Sequence, residues 1–158
     1  MGTKFSTRIW VSVVGIASIF LGSKGYADTV ISVADFGLKP DTRENAVAYV
    51  QKAIEACRGK EPVTLVFPEG RYDFWPQYAH EKNYYETNTY DVFPKRLAML
   101  FEGLHNITVD GNGSQFVMHD RIQPITVENC DGVTLKNFSI DWDIPLTAQA
   151  LSLIHISE

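Results

Sequence analysis

The chain is short of almost everything that cofactor and metal chemistry writes into a sequence. It has no phosphate-binding loop, no nucleophile elbow and no dinucleotide fingerprint, so no cofactor is expected. His80, His105 and His119 stand at spacings unlike those of metal ligands, with one another or with cysteine, which argues against a metal site. Cysteine itself is scarce. Cys57 and Cys130 are the only two; they could pair in an oxidising compartment, but both read better as small buried hydrophobes. Cations are outnumbered, with 14 Lys and Arg against 19 Asp and Glu and a formal charge of −5. That balance argues against nucleic acid or an anionic membrane as a partner and is compatible with a neutral ligand such as a sugar. Low-complexity tracts are absent, and 158 residues leave room for one domain.

A long hydrophobic run is missing too. Ile9 to Leu21 offers about 13 apolar-rich residues, too few to span a bilayer. Lys4 and Arg8 precede it and Gly25-Tyr26-Ala27 follows, so residues 1–27 read as a signal peptide cleaved after Ala27. The product would be secreted or periplasmic, touching a membrane only through the cleaved segment. Its removal takes Lys4, Arg8 and Lys24 and no acid, moving the formal charge from −5 to −8. At the other end, residues 151–158 (Leu-Ser-Leu-Ile-His-Ile-Ser-Glu) read as a translated sequencing-adapter artefact, with the native chain expected to continue past residue 150.

What the chain does have is a repeat. Phe101-Glu-Gly-Leu-His-Asn-Ile-Thr-Val-Asp-Gly111 returns 26 residues later as Val127-Glu-Asn-Cys-Asp-Gly-Val-Thr-Leu-Lys-Asn137. Glu102 matches Glu128, Thr108 matches Thr134, and Cys130 takes the place of Leu104. Short alternating strands with Asn and Gly corners at such a period predict an all-β solenoid, a parallel β-helix whose coils bury their apolar faces only by stacking. The phrase Val63-Thr-Leu65 recurs at Ile107-Thr-Val109 and Val133-Thr-Leu135, so about three coils can be traced between residues 28 and 150. Asn137 sits where the apolar phase switches, and Gly111 is its counterpart one coil earlier; both are expected at corners needing a left-handed residue.

Ahead of the repeat, residues 28–34 read as a strand. Ala46, Val47, Val50, Ala53, Ile54 and Cys57 then form one helical stripe. Asp41 with Glu44 gives a capping-box spacing at the helix start, and Gly59 suits its end. The helix is expected to cover the first coil. Residues 74–96, rich in Tyr, Asn and Glu and without clean periodicity, predict a structured loop. Its Tyr84, Tyr85 and Tyr90 would either stack on sugar rings or pack the loop down.

Chemistry is thinly signposted. Ser139, Asp141 and Asp143 alternate with Phe138, Ile140 and Trp142, placing two carboxylates about 6.5–7 Å apart on an outward strand face. An inverting glycosidase pair stands about 6.5–9.5 Å apart, which makes Asp141 and Asp143 weak catalytic candidates only, because adjacent outward acids are common on any solvated face. Trp142 counts as core. Asn106, Asn112 and Asn137 fit the glycosylation acceptor pattern but fall in strand corners.

Val33-Ala-Asp-Phe-Gly37, the helix ending at Cys57, and Val66-Phe-Pro-Glu-Gly-Arg-Tyr72 resemble the opening of pectin-lyase-like proteins, which implies a right-handed parallel β-helix. A narrower resemblance rests on Tyr84-Tyr-Glu-Thr-Asn88, Ile107-Thr-Val-Asp-Gly-Asn-Gly-Ser114 and Leu135-Lys-Asn-Phe-Ser-Ile-Asp-Trp-Asp-Ile-Pro145. Together these look like the α-1,3-galactosidases of glycoside hydrolase family 110, as found in Bacteroides-like bacteria. The resemblance covers residues 28–150. It implies removal of terminal α-1,3-linked galactose, as in blood-group B glycans, with inversion and without a cofactor. It also implies that the catalytic acid and base lie on later coils, so that this stretch alone is inactive. Residues here would contribute to a sugar-binding wall through Tyr84, Tyr85, Glu86 and Asn88 and through Asp141 and Asp143. Two rivals stay open: a polygalacturonase- or lyase-like enzyme acting on acidic polysaccharide, and a non-catalytic carbohydrate-binding β-helix.

Overall fold

The computed structural model describes residues 29–84 and 94–146. The expected signal segment, Tyr85, Glu86, Asn88 and Tyr90, and the terminal octapeptide all lie outside the described residues. Within them strands predominate, in two largely parallel sheets. The strands are β1 (Thr29–Ser32), β2 (Val63–Val66), β3 (Arg71–Phe74), β4 (His80–Asn83), β5 (Pro94–Glu102), β6 (His105–Met118), β7 (Gln123–Glu128) and β8 (Asp131–Trp142), and one helix, α1 (Val47–Cys57), precedes β2.

The repeat seen in the sequence is the pairing register. Ile107 pairs with Val133, Thr108 with Thr134 and Val109 with Leu135, while Met99 pairs with Ile125 and Glu102 with Glu128. Each partner is 26 residues on. The recurring Val-Thr-Leu phrase extends the same row, because Val63, Thr64 and Leu65 pair with Ile107, Thr108 and Val109. β1 adds a further strand beside β2. Alternate positions on these rows point inward, so Ile31, Val63, Leu65, Ile107 and Val109 are buried.

β6 is long because it serves two rows. Its first half lies beside β2 and its second half beside β3, and the register with β8 shifts between Asp110 and Ser114. Asn137 takes the left-handed conformation expected of a corner, with φ 59°. Gly111 does not. On the longer corner the left-handed residues are Asn112 and Gly113, and Gly111 is required for closeness: a Cβ there would stand 2.5 Å from the Cβ of Phe138 and 2.7 Å from the Asn137 carbonyl oxygen. Asp110 ties the corner together, accepting from the Asn112 N–H and the Asn137 side chain, each at 3.0 Å. Past the corner an aromatic column fills the interior: Phe116 lies 4.8 Å from Phe67, 5.6 Å from Phe74 and 4.8 Å from Phe138.

α1 buries the predicted stripe against β1, β2 and β5. Its capping differs from the sequence expectation. Asp41 is in the left-handed region and accepts from the Arg71 N–H at 2.9 Å, so it cannot cap the helix. Asn45 does that work, its side-chain oxygen accepting from the Val47 N–H at 3.1 Å. The capping box belongs instead to Ser32 and Asp35, at a 3-10 turn (Val33–Phe36) that ends the first strand earlier than expected. Gly59 follows the helix with φ 75°. The expected loop over 74–96 also contains a strand, β4, paired antiparallel with the start of β5. Cys57 is buried and Cys130 half-buried, both as free thiols. Among the described residues no helix is long and apolar enough to cross a membrane.

β8 pairs with β6 and, among the described residues, with no other strand. Inward-phase residues of the last row, Leu135 at 39% and Ile140 at 37% exposure, are therefore uncovered, and the β8 backbone offers an open edge. Residues 28–158 expressed alone are expected to self-associate through that edge; a cooperative, monomeric species by light scattering would contradict it. Gly111→Ala should cost about 1–3 kcal/mol through overpacking against Phe138, read as a lower urea midpoint.

Candidate functional site

Two polar clusters form where the parallel register sets outward-facing residues side by side. The first stands at the ends of β3, β6 and β8. Tyr72 and Phe74 point inward, leaving Arg71 and Asp73 on the outer face. Backbone bonds from the His119 N–H to Phe74 and from the Asp143 N–H to Met118 carry the ladder one residue further. Trp75, His119 and Asp143 thus stand abreast. The indole and imidazole stack at 3.9 Å with planes 5° apart.

Asp73 is the anchor of this group. It is 1% exposed, yet its carboxylate is fully engaged: Arg71 donates from Nη2 at 2.6 Å and from Nε at 3.0 Å, and His119 Nε2 lies 2.8 Å away. An ionised carboxylate only accepts, so the His119 proton sits on Nε2. Burial by itself raises the Asp73 pKa, but the hydrogen bonds from Arg71 and His119 outweigh it and hold the carboxyl below the ordinary aspartate value. His119 Nδ1 then faces Asp143 at 3.7 Å, and Arg71 Nη2 is also 3.7 Å from Asp143. The result is an imidazole whose Nε2–H is held by a buried acid, with the exposed Asp143 carboxylate beside its other nitrogen. Such a unit can position a hydroxyl or shuttle a proton.

The second cluster lies on the outer face of β5 and β7. Glu102 and Glu128 are register partners, and adjacent parallel strands run only about 4.8 Å apart, so two like charges meet. Lys82 from β4 resolves the conflict, donating to Glu102 at 2.9 Å and to Glu128 at 2.8 Å. The Tyr84 hydroxyl also donates to Glu128. Hydrogen bonds from Lys82 and then Tyr84 lower the Glu128 pKa; the same bond to Glu128 raises that of Tyr84.

Of the residues singled out from sequence, Tyr84 is tied to Glu128, and Asp143 joins the Asp73 cluster. Asp141 stays exposed and accepts from the Trp142 N–H at 2.8 Å. Trp142 packs on the core, its indole N–H buried without a partner among the described residues. Sequence reasoning missed Asp73, His119 and Lys82. Glu102 and Glu128 had a signal, their shared phase in the repeat; the others came from segments without one. Among the described residues no three His, Cys, Asp or Glu side chains are arranged to hold a metal ion.

No protein-family model matches the chain. Curated relatives do. Over 132 residues it is 61% identical to alpha-1,3-galactosidase B of Bacteroides thetaiotaomicron, covering 84% of this chain and 22% of that protein. The chain is a relative of the alpha-1,3-galactosidases. It is also 40% identical over 121 residues to alpha-1,3-galactosidase A of Shewanella woodyi, covering 77% of the chain and 20% of that protein. With alpha-1,3-galactosidase B of Phocaeicola vulgatus the figures are 37% over 145 residues, 89% and 22%. The chain spans about a fifth of the length of these relatives.

Because the folded-state pKa of Asp73 is depressed, its contribution to stability is present above the unfolded value, about 3.9, and is lost as pH falls through the folded value. Asp73→Asn should therefore cost about 2 kcal/mol or more at neutral pH, the loss of charged hydrogen bonds at a buried site. It should also flatten the fall in urea midpoint below that pH; an unchanged acid limb would remove Asp73 as its source.

Proposed function

We propose that this chain is the N-terminal part of a secreted α-1,3-galactosidase of glycoside hydrolase family 110. It is built as a right-handed parallel β-helix capped by α1. The 61% identity to a protein of that name carries the reading. The 26-residue parallel register supports the coil architecture, and α1 against β1, β2 and β5 supports the cap. The substrate would be a glycan ending in α-1,3-linked galactose, cleaved with inversion. In that chemistry one carboxylic acid protonates the leaving oxygen while a carboxylate activates water on the opposite face.

Neither role is assigned to Asp141 or Asp143. Asp143 is engaged by Arg71 and His119, and Asp141 makes a bond to its own strand. The acid and base are placed on coils outside residues 29–146, and the present residues supply wall and support. The excess of acids over cations, a formal charge of −5, suits a neutral sugar better than the acidic polymer of a polygalacturonase-like enzyme.

The full-length protein is expected to release galactose from a Gal-α-1,3-Gal disaccharide with the β anomer appearing first by NMR, while residues 28–158 alone release none. First-formed α-galactose would reject inversion. Cleavage of polygalacturonate instead would transfer the reading to its rival.

A further inference from the structure

Between β3 and β4 the chain makes a tight turn whose sequence runs against turn chemistry. The Ala79 N–H donates to the Pro76 carbonyl at 3.2 Å, and Tyr78, the third residue of that turn, has φ 67°. Glycine or asparagine ordinarily takes this position, because a Cβ is strained there. The tyrosine is not compensated by burial, since 74% of it is exposed. Its backbone is pinned instead from the helix side. Gln51 donates to the Tyr78 carbonyl at 2.9 Å and Asn45 to the Gln77 carbonyl at 2.9 Å, while the Asn45 side-chain oxygen accepts from the Trp75 N–H at 3.3 Å. A bulky aromatic held outward, in a backbone conformation it disfavours, is the kind of strain that marks a functional position.

Tyr78 lines a cavity of about 390 Å³ together with Trp75, Glu81, Arg96 and Asp120, within the size range of small-ligand clefts, about 300–1,000 Å³. Through Glu81, Arg96 and Asp120 it runs on into an open groove of about 890 Å³ that also includes Gln123. The lining combines aromatic faces with planar carboxylate, guanidinium and amide groups. Glu81 and Arg96 are ion-paired at 3.3 Å, and Asp120 stands with Lys95 and Arg121 along the groove, so charges of both signs nearly balance and a strongly charged ligand is not selected. An apolar ring face beside planar donors and acceptors is what a pyranose requires: its C–H face lies on the ring and its hydroxyls bond at the edge.

We propose that this groove is a carbohydrate subsite that takes a neutral pyranose against Tyr78. Its continuation past Arg96 and Asp120 accommodates further residues of the same glycan. The proposal rests on the reading that the protein acts on glycans and adds a place where the glycan is held.

Ligand-observed saturation-transfer NMR, which tolerates self-association, tests it with methyl α-D-galactopyranoside and lactose as probes on the chain. Binding is expected to weaken roughly tenfold in Tyr78→Gly, the loss of one stacked aromatic contact. The thermal midpoint should stay level or rise, because glycine relieves the positive φ. Tyr78→Phe should keep most of the affinity. No transfer to wild type, Tyr78→Gly binding like wild type, or Tyr78→Phe binding as weakly as Tyr78→Gly would each overturn the subsite. Galactose release by the full-length protein without this binding would leave the galactosidase reading intact. Binding here without galactosidase activity would do the reverse.

Discussion

Everything described depends on one ladder of backbone hydrogen bonds, the parallel pairing of residues 26 apart along β5–β7 and the first half of β6–β8, and 24 apart past the β6–β8 corner. Side chains on a strand alternate between faces, so a slip of one residue would turn Ile107 and Val109 outward and Asp110 inward. The register is held by the buried set on one side and by the Asp110–Asn112–Asn137 corner on the other. The aromatic column of Phe67, Phe74, Phe116 and Phe138 then locks successive rows together from inside.

The same ladder generates the polar chemistry. Parallel stacking brings corresponding positions of successive repeats within about 4.8 Å, whatever their charge. Where the outcome is two acids, as at Glu102 and Glu128, a cation from an antiparallel neighbour is recruited. Where it is Trp75, His119 and Asp143, the rings stack and the buried Asp73 orients the imidazole. Both clusters are consequences of register, and both lie at strand ends, where the chain leaves the ladder and side chains have room to converge.

Much of this was legible beforehand. The repeat predicted the pairing partners, the helical stripe predicted which face of α1 is buried, and the phase switch predicted the Asn137 corner. Helix capping was misread because Asp41 matched a spacing, whereas Asn45 is brought to the helix start by its bridge to Asp73 across the chain. The corner at Gly111 was misassigned because it is longer than its counterpart at Asn137, which places the left-handed residues at Asn112 and Gly113. Strand β4 was hidden because its partner stabilises it; His80–Asn83 has almost no apolar alternation of its own.

Sequence by itself determined the elements with a period: the stacked parallel strands, the amphipathic helix and the kinship with alpha-1,3-galactosidases that such residues carry. Periodicity is a local consequence of which face is buried, so it survives in one dimension. Only the tertiary structure decided that Asp73 meets His119, that Lys82 bridges Glu102 and Glu128, and that Tyr78 is held outward over a groove. Those contacts join residues from different rows, and their geometry is set by strand spacing and corner length, which no single segment encodes.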